Sequence, residues 1–106
     1  MAAISLNTCD AQPCAVLEIE VRQHGGVLAQ VVGLLARRAY RVQGLVCRTL
    51  ADGRHGRIWL QVHEDLRLPQ VLRQVAKLED VLAVRQHPAG HAVFGRVAEF
   101  FEPAGA

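Results

Sequence analysis

A ferredoxin-like α+β fold, ordered strand, helix, strand, strand, helix, strand, is predicted by three patterns in the chain. Four short stretches alternate apolar and polar residues with period two, two longer ones place apolar residues three and four apart, and an Asp-Gly turn joins the second and third strands. Such a chain forms a four-stranded antiparallel sheet with two helices on one face.

Each element follows from its own residues. Over 14–21, Leu17, Ile19 and Val21 share one side and Glu18 and Glu20 the other, as in a strand with one buried face. Over 27–39, Val27, Leu28, Val31, Val32, Leu34, Leu35 and Ala39 form a wide helical stripe, and Arg37 and Arg38 close it, where basic groups complement the negative helix end. Residues 42–50 and 57–63 form the next two strands, and 51–56, with Asp52-Gly53 and Gly56, supply the hairpin turn. Leu68, Val71, Leu72, Val75 and Leu78 give the second helix, with Pro69 tolerable in its first turn. Residues 81–87 form the fourth strand, stopped by Pro88-Ala89-Gly90. Glu18, Glu20, Trp59 and Gln61 then lie on the sheet face away from the helices.

At 106 residues and 51% hydrophobic content the chain suits one domain with a real core. The organisation read from it is a flexible tail over 1–13, the domain over 14–88 and a C-terminal tail over 89–106. In that tail the apolar stretch 93–101, with Val93, Phe94, Val97, Phe100 and Phe101, needs a surface to dock on. The net charge of +2 is dispersed, which argues against nucleic acid as a partner. No apolar run is long enough to span a membrane and no secretion signal precedes the domain, so a cytoplasmic location is expected. The three cysteines, Cys9, Cys14 and Cys47, lack CxxC spacing, and an odd count is read as reduced thiols.

No constellation for catalysis is visible. His24, His55, His63, His87 and His91 lack metal-ligand spacing, no cysteine has a neighbouring base, and Asp65, Glu79 and Asp80 sit at helix ends or turns. Catalytic residues and bound metal are both expected to be none. An RNA-recognition domain shares the strand order, but only Trp59 among the aromatics lies on the third strand, too few for base stacking. A binding or regulatory module remains.

The passage from Val21 to Cys47 carries the functional clue. Gly25-Gly26 precedes the first helix, and no Ser, Thr, Asp or Asn stands at its start to cap it. Free helical N–H groups and the positive end of the helix dipole favour a carboxylate. The alternative is a tight turn with water on those groups.

Three segments, 33–47 (Gly-Leu-Leu-Ala-Arg-Arg-Ala-Tyr-Arg-Val-Gln-Gly-Leu-Val-Cys), 57–62 (Arg-Ile-Trp-Leu-Gln-Val) and 77–81 (Lys-Leu-Glu-Asp-Val), resemble the small regulatory subunits of acetolactate synthase (acetohydroxyacid synthase), isozyme I-like and built on one ACT domain. The likeness runs from about Leu17 to Phe101, including the aromatic tail Phe100-Phe101. It implies a subunit without catalysis of its own that binds and activates the large subunit and mediates feedback inhibition by valine in branched-chain amino-acid synthesis. The thiamine diphosphate, Mg2+ and FAD of the enzyme would belong to that partner, with no cofactor in this chain. The resemblance also implies a homodimer with the amino acid at its interface. Gln23, His24, Gly25, Gly26, Val27 and Leu28 would come from one protomer and Arg41 and Val42 from the other, with Val27, Leu28 and Val42 forming an apolar recess for the valine side chain. Gln23 and Arg41 stand where valine-responsive relatives commonly carry asparagine. Arg41, with five donors and a fixed charge, either clamps the ligand carboxylate or repels its ammonium group. The readings left open beside this one are an ACT-type sensor of another enzyme and an RNA-binding module of the same topology.

Overall fold

The structure is a computed structural model that describes residues 14–22 and 26–101. The expected tail over 1–13, the loop residues Gln23, His24 and Gly25, and residues 102–106 lie outside the described residues. The elements run β1 (Cys14–Arg22), α1 (Val27–Arg37), β2 (Val42–Thr49), β3 (His55–His63), α2 (Leu68–Ala76) and β4 (Val81–Pro88). Two short 3-10 turns follow, Ala92–Phe94 and Val97–Phe100. The four strands form one antiparallel sheet in the order β2-β3-β1-β4, the arrangement that the alternation of strands and helices predicts.

The core lies between the sheet and both helices. Leu17, Ile19, Ile58, Leu60 and Val62 on the central strands meet Val31, Leu35, Val71 and Val75 on the helices, and all are buried. Leu17 pairs directly with Leu60 across β1 and β3, and Leu60 pairs in turn with Leu45 on β2. The side chains that seal the core therefore alternate with those of the opposite face, as the period of two requires.

The ends of the elements are fixed by local hydrogen bonds. Helix α1 stops at Arg37, two residues before the apolar stripe runs out. The Tyr40 N–H donates to the Leu35 carbonyl (2.9 Å) and the Ala39 N–H to that of Ala36 (3.0 Å), a Schellman closure. Ala39 occupies its left-handed position at φ 53°, where a Cβ is strained. Replacing Ala39 with glycine is expected to stabilise the domain by about 0.5–1 kcal/mol, visible as a melting temperature raised by a few degrees. Buried Tyr40 follows, its hydroxyl donating to the His63 carbonyl and its ring beneath the Arg67 guanidinium, 5.1 Å from the ring centre. Burial pushes its phenol up to about 12.

The β2–β3 hairpin is longer than the alternation indicates, since β3 starts at His55 rather than at 57. Asp52 accounts for this: its carboxylate accepts the N–H groups of Arg54 (2.9 Å) and His55 (3.0 Å), and Gly53 takes φ 72°. The turn is thereby closed within the loop, and pairing begins at once. Before α2, the Asp65 carboxylate accepts the Arg67 N–H at 2.8 Å.

The sheet face opposite the helices is partly covered by the chain after β4. Phe94 is buried over Gly44, where a Cβ would lie 2.9 Å from Phe94 Cε1, so Gly44 is what lets the ring approach the strand. Val16, which shares this face and is paired with Gln61 and His87, is fully buried. Phe100 and Phe101, by contrast, are 86% and 76% exposed. Cys14 is disulfide-bonded, correcting the expectation of reduced thiols; an odd cysteine count excludes complete pairing but not a single bridge. Cys47 is a free, exposed cysteine on β2. Among the described residues no helix is long and apolar enough to cross a membrane.

Candidate functional site

Helix α1 begins as the sequence suggests. Its first flanking residue, Gly26, receives no side-chain cap, and its carbonyl accepts the Gln30 N–H at 3.0 Å. Gly26 adopts φ −102°, which any residue can take, and a Cβ there would meet nothing within 4 Å. A side chain at 26 would therefore fit without strain, and the turn does not require glycine there. The Val27 side chain is buried in the core, so Val27 can offer an incoming ligand its N–H but little of its apolar surface. Leu28 is half-buried beside it.

The base of this end is tied down from a distance. The Arg22 N–H donates to the Asp80 carbonyl (2.8 Å) and Arg22 Nη1 to the Glu79 carbonyl (3.1 Å), joining the end of β1 to the turn before β4. Sequence reading missed Arg22, because its partners lie 57 and more residues away and leave no local signal.

Arg41 and Val42 are not near Gly26 within one protomer. β1 ends where α1 starts, α1 runs back along the sheet for 11 residues, roughly 16 Å, and β2 begins at the far end. Both Arg41 and Val42 are exposed there. The structure brings Gly26, Val27 and Leu28 together and leaves Arg41 and Val42 about a helix length away. Gln23, His24 and Gly25 are outside the described residues.

The edge of β2 is the conspicuous apolar margin. Among the described residues β2 pairs with β3 alone, and its Val42 (39%) and Leu45 (40%) are exposed, as is Val32 (38%) on α1. The opposite edge, β4, carries a register shift near its start and ends at Pro88, which has no N–H to offer.

A second cluster occupies the open sheet face. Glu18 on β1 holds Arg57 Nε at 3.2 Å, Arg85 Nη1 at 3.7 Å and His87 Nε2 at 2.9 Å. The Arg57 contact is an ion pair without hydrogen-bond alignment. The His87 hydrogen bond, then the two guanidiniums, hold the Glu18 carboxyl below the usual carboxylate range against the opposing effect of burial. His87 and His91 gather against Trp59, with ring centres 4.7–5.6 Å apart, so the chain after β4 is held to the sheet by ring contacts. Because Glu18 binds a proton less readily folded than unfolded, its stabilisation is present above the ordinary carboxylate range and lost as pH falls through it. Glu18→Gln is expected to cost about 1–3 kcal/mol at neutral pH and to flatten the fall in melting temperature between about pH 6 and pH 3.

The described residues include no group of acidic, histidine and cysteine side chains able to hold a metal.

Comparison with known proteins decides the family. Residues 17–83 match the family model described as the AHAS small subunit-like ACT domain. The chain belongs to this family. It is 42% identical over 87 residues, covering 82% of this chain and 91% of the relative, to the acetolactate synthase isozyme 1 small subunit of Escherichia coli (strain K12). It is 31% identical over 72 residues, 67% of this chain and 44% of the relative, to the isozyme 3 small subunit of the same organism. Among solved structures, an acetolactate synthase small subunit from Thermotoga maritima superposes with a TM-score of 0.62 at 23% identity, covering 69% of this chain and 46% of that one. The ACT domain of a GTP pyrophosphokinase from Chlorobium tepidum does so at 0.60 and 16%, covering 69% and 95%. At those identities the structural matches speak to the ACT fold alone, whereas the sequence matches carry the family.

Proposed function

We infer that this chain is the regulatory, non-catalytic subunit of an acetolactate synthase: it binds the large subunit, raises its activity and transmits inhibition by a branched-chain amino acid, valine first among the candidates. The observation that carries this reading is the 42% identity to an isozyme 1 small subunit across most of both chains, joined to a helix start that receives no side-chain cap. Thiamine diphosphate, Mg2+ and FAD belong, on this reading, to the partner.

The working form is a homodimer joined through β2. A twofold axis perpendicular to the sheet pairs the two β2 strands antiparallel, which sets the beginning of one against the end of the other. The end of β2, Thr49, pairs with Gly56, and Gly56 with Val21, so it lies at the same end of the sheet as Gly26. Arg41 and Val42 of the second copy then arrive beside Gly26, Val27 and Leu28 of the first. The separation seen within one protomer is what a site shared between two copies requires. The carboxylate of the amino acid sits on the free N–H groups, Leu28 and Val42 face its side chain, and Arg41 supplies the charge.

Reconstitution with the large subunit tests the reading: acetolactate formation should rise several-fold on adding this chain and fall again with valine. No binding and no activation would overturn it, and activation without a response to any amino acid in a calorimetric panel would leave only the docking role. In the same assay, deleting Phe100 and Phe101 is expected to lower activation several-fold with an unchanged melting temperature, since both rings are exposed and contribute little to the core.

A further inference from the structure

We propose that the outer surface of the two helices, centred on the groove between the end of α1 and α2, is a docking face for an acidic stretch of the catalytic subunit. The inference rests on the regulatory reading above and adds which face makes the contact and by what chemistry.

Neither helix contains a single acidic residue: α1 reads Val-Leu-Ala-Gln-Val-Val-Gly-Leu-Leu-Ala-Arg and α2 reads Leu-Pro-Gln-Val-Leu-Arg-Gln-Val-Ala. Their exposed positions are small apolar residues, amides and cations, among them Gln30, Arg37, Gln70 and Arg73, with Arg38 and Lys77 at the two C-terminal ends. Domain surfaces ordinarily intersperse both signs. Here most acids lie elsewhere, with Glu18 and Glu20 on the opposite sheet face and Asp52, Glu64 and Glu79 in turns and strand ends, while Asp65 beside the groove is paired with Arg67.

The groove itself is lined by Arg38, Arg67, Gln70, Val71 and Gln74. Arg67 is committed to structure: it bonds the Arg38 carbonyl at 3.1 Å and the Asp65 carboxylate, and covers Tyr40. Arg37, Arg38 and Arg73 have no such employment, since no carboxylate lies within ion-pair distance of them among the described residues. Gln70 and Gln74, whose side chains also line the groove, add amide groups beside Arg38. Arg38 in the groove and Arg37 and Arg73 exposed on the same two helices complement a peptide surface that brings carboxylates for the arginines. The dimer seam along β2 and the C-terminal turns on the other sheet face leave this surface uncovered.

The test uses the full chain and the intact catalytic subunit, with binding measured across a salt series. The wild-type association should weaken steeply as salt rises, and the double variant Arg38→Glu/Arg73→Glu should bind at least about tenfold more weakly with a flatter salt dependence. Arg38→Gln/Arg73→Gln, which leaves helix-forming residues in place, should show a smaller loss in the same direction, and Arg54→Glu in the hairpin turn no loss. Circular dichroism and valine calorimetry should be unchanged in all three. Equal affinity and equal salt dependence for the reversed variant would overturn the docking face while leaving the regulatory reading standing. Failure of the wild type to bind at all would overturn both. Tighter binding of single-stranded RNA than of the catalytic subunit, lost in the same variants, would assign the face to a different partner and overturn the proposal.

Discussion

Replacing Leu45 with lysine is expected, on the dimeric reading proposed above, to separate the homodimer into monomers and, in the same step, to abolish amino-acid binding. Leu45 lies in the middle of β2 and is 40% exposed, as is Val42 (39%) on the same strand. A lysine in the middle of an unpaired strand edge is a device by which sheets prevent edge-to-edge association, because pairing would strip water from the ammonium group. The dimer dissociation constant should rise by about 100-fold or more, equivalent to roughly 3 kcal/mol, as read by sedimentation equilibrium. The fold should survive, since Leu45 contributes only part of its surface to the interior and an edge strand tolerates polar residues. Calorimetry then supplies the decisive half of the result. With Arg41 and Val42 about a helix length from Gly26 in one protomer, a monomer would hold only half of the proposed site, and heat of valine binding should vanish. A monomeric variant that bound valine with unchanged affinity would show that the ligand needs only one copy.

Truncating Leu60 to alanine should have the largest effect on stability. Leu60 stands on the central strand β3, fully buried, paired with Leu17 on one side and Leu45 on the other. Removing its isobutyl group takes away both transfer free energy and packing. The surrounding strands are held in register by ladder hydrogen bonds and cannot close the space, so a cost near the upper part of the range, about 3–5 kcal/mol, is expected. For a domain of this size that is a large share of the total stability, corresponding to a fall in melting temperature of roughly 15–30 °C. Thermal unfolding followed by circular dichroism measures it directly. A fall of less than five degrees would mean that the two layers repack around the vacancy. In the complex, the same variant should lose regulation only as far as it loses folded protein.

Much of the fold was legible because its determinants are local. Alternation at Leu17, Ile19 and Val21 and again at Ile58, Leu60 and Val62 identifies strands with one buried face, and the stripes through Val31 and Leu35 and through Val71 and Val75 identify the helices. The boundaries that differed did so through single side chains and bonds. Asp52 pulled the start of β3 forward to His55 by accepting two N–H groups, and the closure through Tyr40 ended α1 at Arg37. The hint of an uncapped helix start was equally local, since capping depends on a residue adjacent to the helix. That the turn at 26 does not need glycine was not legible, because φ and the space around a backbone are properties of the folded chain.

By itself, then, the sequence determined the element types, their order, the division of each strand into a core side and an outer side, and, through similarity along most of its length, the small-subunit family. Only the tertiary structure decided that Arg41 and Val42 stand at the far end from Gly26, that Glu18 gathers Arg57, Arg85 and His87, that Phe94 lies over Gly44, and that Arg22 fastens the turn before β4. The physical reason is range. Periodicity and capping act over a few neighbouring residues and leave their mark in the order of letters. Ion pairs, ring contacts and close approaches join residues tens of positions apart, and they exist only once the sheet has fixed which strands lie side by side.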